Sequence, residues 1–167
     1  ISAFATRADR ASERRVDGRR LRDWVQGANA HADFTVENHG FVHPDYMTAI
    51  TTNLNNALVY RLLGKPVPAA VLHNARPVYD VLKFFTQRDG TLFYPNGTDW
   101  NLHLAGHAWN VHVLMERLAG DRQAGALAEA ALSTLARMQA RNPGGRIFVP
   151  GEMTSYPGME QHYGMLI

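Results

Sequence analysis

A chain of 167 residues with 46% hydrophobic and 19% charged side chains is long and apolar enough for one domain with a real core, which excludes wholesale disorder. The absence of cysteine excludes disulfides, thiolate metal sites and a cysteine nucleophile, and no run of about 18 apolar residues is present to span a membrane. The formal charge is +2, and the arginines that carry the excess, at positions 7, 10, 14, 15, 19, 20 and 22, are opposed by Asp9, Glu13, Asp17 and Asp23, so nucleic acid is not an expected partner.

Residues 7–31 read as a polar amphipathic helix with Leu21, Trp24, Val25 and Ala28 on one side. The segment 32–44 reads as a loop, punctuated by Gly40 and Pro44. A helix over 45–63 follows, with Met47, Ile50, Leu54, Leu58 and Leu62 at helical intervals and Gly64 as its stop. After the Pro66 and Pro68 turn a second helix runs to about Arg88, kinked or broken at Pro77. A second long loop covers 89–101. Helices over 102–118 and 121–141 come next, with Gly120 between them, and then a short apolar stretch at 146–149 and a turn-like segment to Tyr163.

These elements predict an all-α protein of antiparallel helical hairpins, read as a single domain over 1–167 with a short irregular or β-like C-terminal segment. Tight turns at Gly64 and Gly120 would then lie at one end of the helical array. The long loops 32–44, 89–101 and 142–163 would converge at the other, where a site is expected. The chain opens with Ile1 rather than Met and stops at Ile167, so it is expected to be part of a longer protein.

The first loop offers Glu37, Asn38, His39 and His43, with Tyr46 just beyond; the second offers Tyr94, Asn96, Asp99 and Trp100, with His103 following. Each has a structural use taken singly: Glu37 and Asp99 as helix caps, the histidines as donors to backbone carbonyls, the aromatics as cover for the core edge. Gathered together they suit a binding or catalytic site. His103 and His107 have zincin spacing, but the Glu that serves as general base there is missing, so no metal is expected. Phosphate-binding, nucleophile-elbow and dinucleotide motifs are likewise missing, and no cofactor is expected. Glu37 and Asp99 suit a glycosidase pair, and Trp100, Trp109 and the tyrosines suit stacking on sugar rings.

The run from Glu37 through Asn38, His39, Gly40 and His43 to Tyr46, then the helical hairpins, then the run from Asp89 and Gly90 to Tyr94, Asn96 and Gly97, resembles the α/α-toroid domain of polysaccharide lyases of the heparinase and oligoalginate lyase type. In those enzymes an Asn or His at the start of a toroid helix precedes a catalytic Tyr by fifty-odd residues; Asn38 and His39 precede Tyr94 by 56 and 55. The resemblance covers roughly residues 33–110, which would form part of an incomplete toroid. The β-sandwich domain that carries a further His in such lyases has no counterpart, and His162 is not an obvious substitute.

The resemblance implies β-elimination on an acidic oligo- or polysaccharide, in a periplasmic or secreted protein whose fold is completed by the rest of the polypeptide or a companion chain. Asn38 and His39 would neutralise the uronate carboxylate. Tyr94 would move the proton, given a neighbouring cation to lower its pKa from about 10. Glu37, His43, Tyr46, Asn96, Asp99, Trp100 and His103 would contact substrate. The alternatives are a glycoside hydrolase on a similar toroid, using Glu37 and Asp99, and a non-catalytic helical binding module.

Overall fold

Thr6 and Asp9 start the first helix by capping each other. The Asp9 N–H donates to Thr6 Oγ1 at 3.3 Å and the Thr6 N–H donates to Asp9 Oδ2 at 2.8 Å, which opens α1 (Arg7–Ala11). The helix expected to continue to residue 31 stops here. Asp17 and Gly18, at φ 49° and 78°, form a two-residue turn joining the antiparallel strands β1 (Arg15–Val16) and β2 (Arg19–Arg20). An Asp-Gly pair with both residues left-handed is a strong hairpin former, and it overrides the helical spacing of the apolar residues around it. Only a short α2 (Leu21–Trp24) follows, with Trp24 Nε1 donating to Val16 O at 3.1 Å.

The structure is a computed structural model that describes residues 1–96, 105–142 and 144–147, in two compact units, Ile1–Phe85 and Thr86–Ile167. The fold is mostly helical, with two small two-stranded sheets. Among the described residues no helix is long and apolar enough to cross a membrane.

In the first unit, Asp33 turns the chain by accepting from the Thr35 N–H at 3.0 Å and the Thr35 hydroxyl at 2.7 Å. A second hairpin then pairs β3 (Glu37–Asn38) with β4 (Phe41–Val42). Pro44 opens α3 (Pro44–Thr48), and α4 (Ile50–Leu62) continues it after Ala49. The helix expected over 45–63 is thus present in two pieces, ended by Gly64 at φ 64°. The next helix differs from expectation. Residues 68–74 form turns, Asn74 is left-handed at φ 57°, and α5 spans Ala75–Phe84. Pro77 sits in the first turn of α5, where its missing N–H has no intrahelical acceptor to lose, so it causes no kink.

The core of this unit contains Phe4, Leu21, Met47, Ile50, Leu54, Val78, Tyr79 and Leu82, all nearly inaccessible. Polar ties reach across it. Asp17 accepts from the Ala69 and Ala70 N–H groups at 3.1 and 2.7 Å, and Asn74 Nδ2 donates to Phe4 O at 2.8 Å.

In the second unit, Asp89 makes a turn with Thr91, from whose N–H and hydroxyl it accepts at 3.0 and 2.6 Å. Helices α6 (Ala105–Ala119) and α7 (Arg122–Ala140) pack as an antiparallel pair across Gly120 and Asp121. Asp121 Oδ1 caps α7 by accepting from Gln123 N and Ala124 N at 3.0 and 3.1 Å, a contact worth about 1 kcal/mol. Val111, Leu114 and Met115 of α6 and Ala124, Ala128 and Ala131 of α7 are buried, and the two helices pack on each other. This is the expected 102–118 and 121–141 hairpin. Of the expected strand at 146–149, Arg146 and Ile147 are irregular and the rest lies outside the described residues.

Candidate functional site

The β3–β4 turn is built from His39 and Gly40, at φ 52° and 86°. Asn-Gly is the ordinary choice for such a turn, because Asn and Gly tolerate the left-handed region. Histidine is held there at a local cost of about 1 kcal/mol or more, a kind of strain that concentrates at functional sites. The result is an exposed histidine at the tip of the β3–β4 hairpin. Asn38, one residue earlier, pairs with Phe41 across the ladder, and its side-chain Nδ2 is buried without a hydrogen-bond partner. A buried donor left in this state costs about 1–3 kcal/mol, so it is a place where a ligand oxygen would be welcome.

β4 delivers the chain directly to His43 and α3. The His43 side chain is fully buried, stacked on Phe41 at 5.2 Å between ring centroids and edge-on to Tyr46 at 5.3 Å and 88°. Its Nδ1 lies 3.5 Å from Asp45 Oδ2, an ion-pair distance within a buried pair. Tyr46 is half-buried, and its ring centroid lies 6.3 Å from that of His39 at 60° between the planes. One hairpin and one helical turn therefore gather Asn38, His39, His43 and Tyr46, four of the residues singled out from the sequence.

Glu37 caps no helix. It begins β3 and pairs with His31 Nε2 at 3.2 Å, both side chains about half exposed, on the wall of a cleft of about 650 Å³ that Thr6, Arg7, Asn29 and Phe34 also line. Tyr94 is half-buried and Asn96 exposed, both in the second unit. Asp99, Trp100 and His103 lie outside the described residues, as do the side chain of His107 and all of His162. Among the described residues no three metal-ligating side chains are gathered.

Sequence reasoning missed a second polar cluster. Asp9 Oδ2 accepts from the Thr6 N–H, from the Thr6 hydroxyl at 3.0 Å and from Asn74 Nδ2 at 2.9 Å. The buried His73 places Nε2 3.3 Å from the same oxygen, at ion-pair distance but off the hydrogen-bond direction. Burial pushes the Asp9 carboxyl up, yet its donors outweigh this and hold it below the ordinary aspartate value; Thr6 and Asn74 supply the well-aligned ones. The Thr6-x-x-Asp9 spacing was the available signal, since it is that of a capping box. Compared with known proteins, the chain matches no family model, no curated protein and no solved structure.

Proposed function

We propose that this protein is a carbohydrate-active enzyme, a polysaccharide lyase that cleaves uronate-containing glycan by β-elimination, and that its helices are part of an α/α toroid. The observation that carries the reading is the gathering, on one hairpin and the helix after it, of a partnerless buried amide donor on Asn38, an exposed His39 held in a strained turn, and the half-buried Tyr46. β-Elimination needs those functions. The C5 proton beside a carboxylate becomes removable when hydrogen-bond donors neutralise that carboxylate and hold the developing enolate charge. Asn38 and His39 supply the donors. Tyr94 takes the C5 proton or returns one to the leaving oxygen, as the resemblance implies. Exposed Leu62, Leu63 and Phe84 on the first unit are apolar surface of the sort that neighbouring toroid hairpins cover.

The test is incubation of the protein with a panel of polyuronates and glycosaminoglycans, following ultraviolet absorbance of unsaturated uronate together with new reducing ends. A lyase yields both in equal number. Reducing ends without the chromophore indicate hydrolysis, and neither signal indicates a binding module.

A further inference from the structure

Glu37 and Asn38 are consecutive residues of β3, so their side chains leave the hairpin on opposite faces. Asn38 is gathered with His39 and Tyr46, whereas Glu37 lines the cleft of about 650 Å³, a volume within the range of about 300–1,000 Å³ usual for small-molecule sites. From the lining of that cleft we infer that it is a second, non-catalytic site, which binds one uronate residue through its carboxylate, its hydroxyls and its apolar ring face. The choice of a sugar rests on the carbohydrate reading above; the demand for a carboxylate and a ring face comes from the cleft itself.

Phe34 stands in the left-handed region at φ 64°, where a bulky side chain is a backbone outlier. The same turn recurs in the second unit, with Asp89 and Thr91 bonded as Asp33 and Thr35 are, and there Gly90 takes the position of Phe34 at φ 80°. Glycine suits that backbone, and phenylalanine stands in the first copy against a cost of about 1 kcal/mol or more. What it provides is a half-buried ring on the cleft wall. The apolar face of a sugar stacks on such a ring.

Arg7 lines the same cleft and is exposed. Among the described residues it has no acidic partner, whereas Arg20 and Arg22 are paired with Glu13 and Asp23. Asp9, the acid nearest to it in sequence, is taken by Thr6 and Asn74. A guanidinium in this state is a ready bidentate partner for a carboxylate. Glu37 and His31, paired at 3.2 Å, accept from and donate to hydroxyls, and the Asn29 amide does both. Arg7 therefore takes the uronate carboxylate, Phe34 its apolar face, and the remaining polar groups its hydroxyls. A neutral sugar leaves Arg7 unused, and a bare anion leaves Phe34 unused.

Monomeric glucuronate and galacturonate carry the recognised groups but no glycosyl leaving group at O4, so their binding is read apart from elimination. Titrated into isotope-labelled protein, either should shift the Arg7, Asn29 and Phe34 amide resonances saturably, and glucose should bind about tenfold more weakly or worse. Arg7→Gln removes the charge from an exposed side chain, so the variant should melt as the wild type does while uronate binding weakens about tenfold or more and glucose binding stays the same. In Phe34→Gly, relief of the left-handed backbone offsets loss of a half-buried ring, so affinity for both sugars should fall with little change in melting temperature. Uronate and glucose bound alike, Arg7→Gln without effect, or Phe34→Gly with affinity unchanged each overturns the site, as does uronate that shifts only the resonances of the His39 turn. Uronate bound in the cleft by a protein that forms no unsaturated product from polyuronate supports the site and overturns the lyase reading. Product formed without binding in the cleft does the reverse.

Discussion

Asn38 and Tyr94 occupy equivalent positions in two copies of one turn, each five residues after the aspartate that builds it. In the first copy Asp33 holds Thr35, His31 N donates to Thr35 O at 2.8 Å, Phe34 N donates to His31 O at 3.0 Å, and Ala30 bridges Val36. In the second Asp89 holds Thr91, Gln87 N donates to Thr91 O at 2.8 Å, Gly90 N donates to Gln87 O at 3.0 Å, and Thr86 bridges Leu92. The 56-residue separation of Asn38 and Tyr94 is thus the separation of two turns with the same hydrogen-bond pattern.

Equivalent turns should respond equivalently. Asp33→Ala and Asp89→Ala each remove an acceptor shared by a threonine N–H and hydroxyl, and each should cost about 1–2 kcal/mol in urea denaturation. Hydrogen bonds from the Thr35 and Thr91 side chains hold both carboxyls below the ordinary value of 3.8. A carboxyl lowered in the folded state contributes stability above its unfolded pKa and loses it as pH falls through the folded one. Melting temperatures should therefore drop below about pH 4, with a shallower acid limb in each variant. A large effect from one aspartate and none from the other would refute the equivalence.

Gly90 and Gly40 separate backbone strain from steric overlap. Both have strongly positive φ, 80° and 86°, but a Cβ at Gly90 would collide with the backbone of Ala131 on α7, whereas one at Gly40 meets nothing within 4 Å. Gly40→Ala should cost about 1 kcal/mol, the conformational term alone. Gly90→Ala should cost about 1–3 kcal/mol more, because the turn must move off the helix. Equal thermal shifts would show that the turn does not rest on α7 as described.

His39 tests whether strain at the β3–β4 turn serves activity. His39→Asn places a residue that favours the left-handed region at φ 52°, and stability should rise by a few tenths to about 1 kcal/mol. Turnover of uronate glycan should fall, since asparagine offers only a shorter, neutral donor in place of the imidazole. Lower stability with unchanged turnover would mean that the imidazole serves packing.

Some of this was legible in the sequence and some was not, for identifiable reasons. The α6–α7 hairpin was readable because Gly120 and Asp121 are a helix stop and a cap in adjacent positions, and α7 is rich in alanine and leucine. The single helix that apolar spacing predicts over 7–31 is absent because Asp17-Gly18 is the stronger local signal and turns the chain. α5 starts later than the sequence predicts because Pro77 reads equally as a kink or as a first-turn residue. In the site, Asn38, His39, His43 and Tyr46 could be found because they are close in sequence. Asp9 and His73 could not, because they lie far apart in the chain and are joined only by the fold.

Lyase and hydrolase chemistry place different demands on the phenols and carboxylates, and substitution separates them. For elimination, Tyr94→Phe removes only the phenolic oxygen from a half-buried ring, so the fold should persist while turnover falls roughly 10²–10⁴-fold, as expected on losing a general acid–base. Glu37→Gln should be mild. Its carboxylate pairs with an exposed His31 on a cleft wall, and an exposed ion pair contributes about 0–1 kcal/mol. Asp99→Asn should also be mild, and an uncharged methyl-esterified glycan should depend less on His39, having no carboxylate to neutralise. Hydrolysis reverses the order, since two carboxylates must then act as acid and as base or nucleophile. If Glu37→Gln and Asp99→Asn abolish activity while Tyr94→Phe turns over near the wild-type rate, the lyase assignment is wrong and the carboxylates are the catalytic pair.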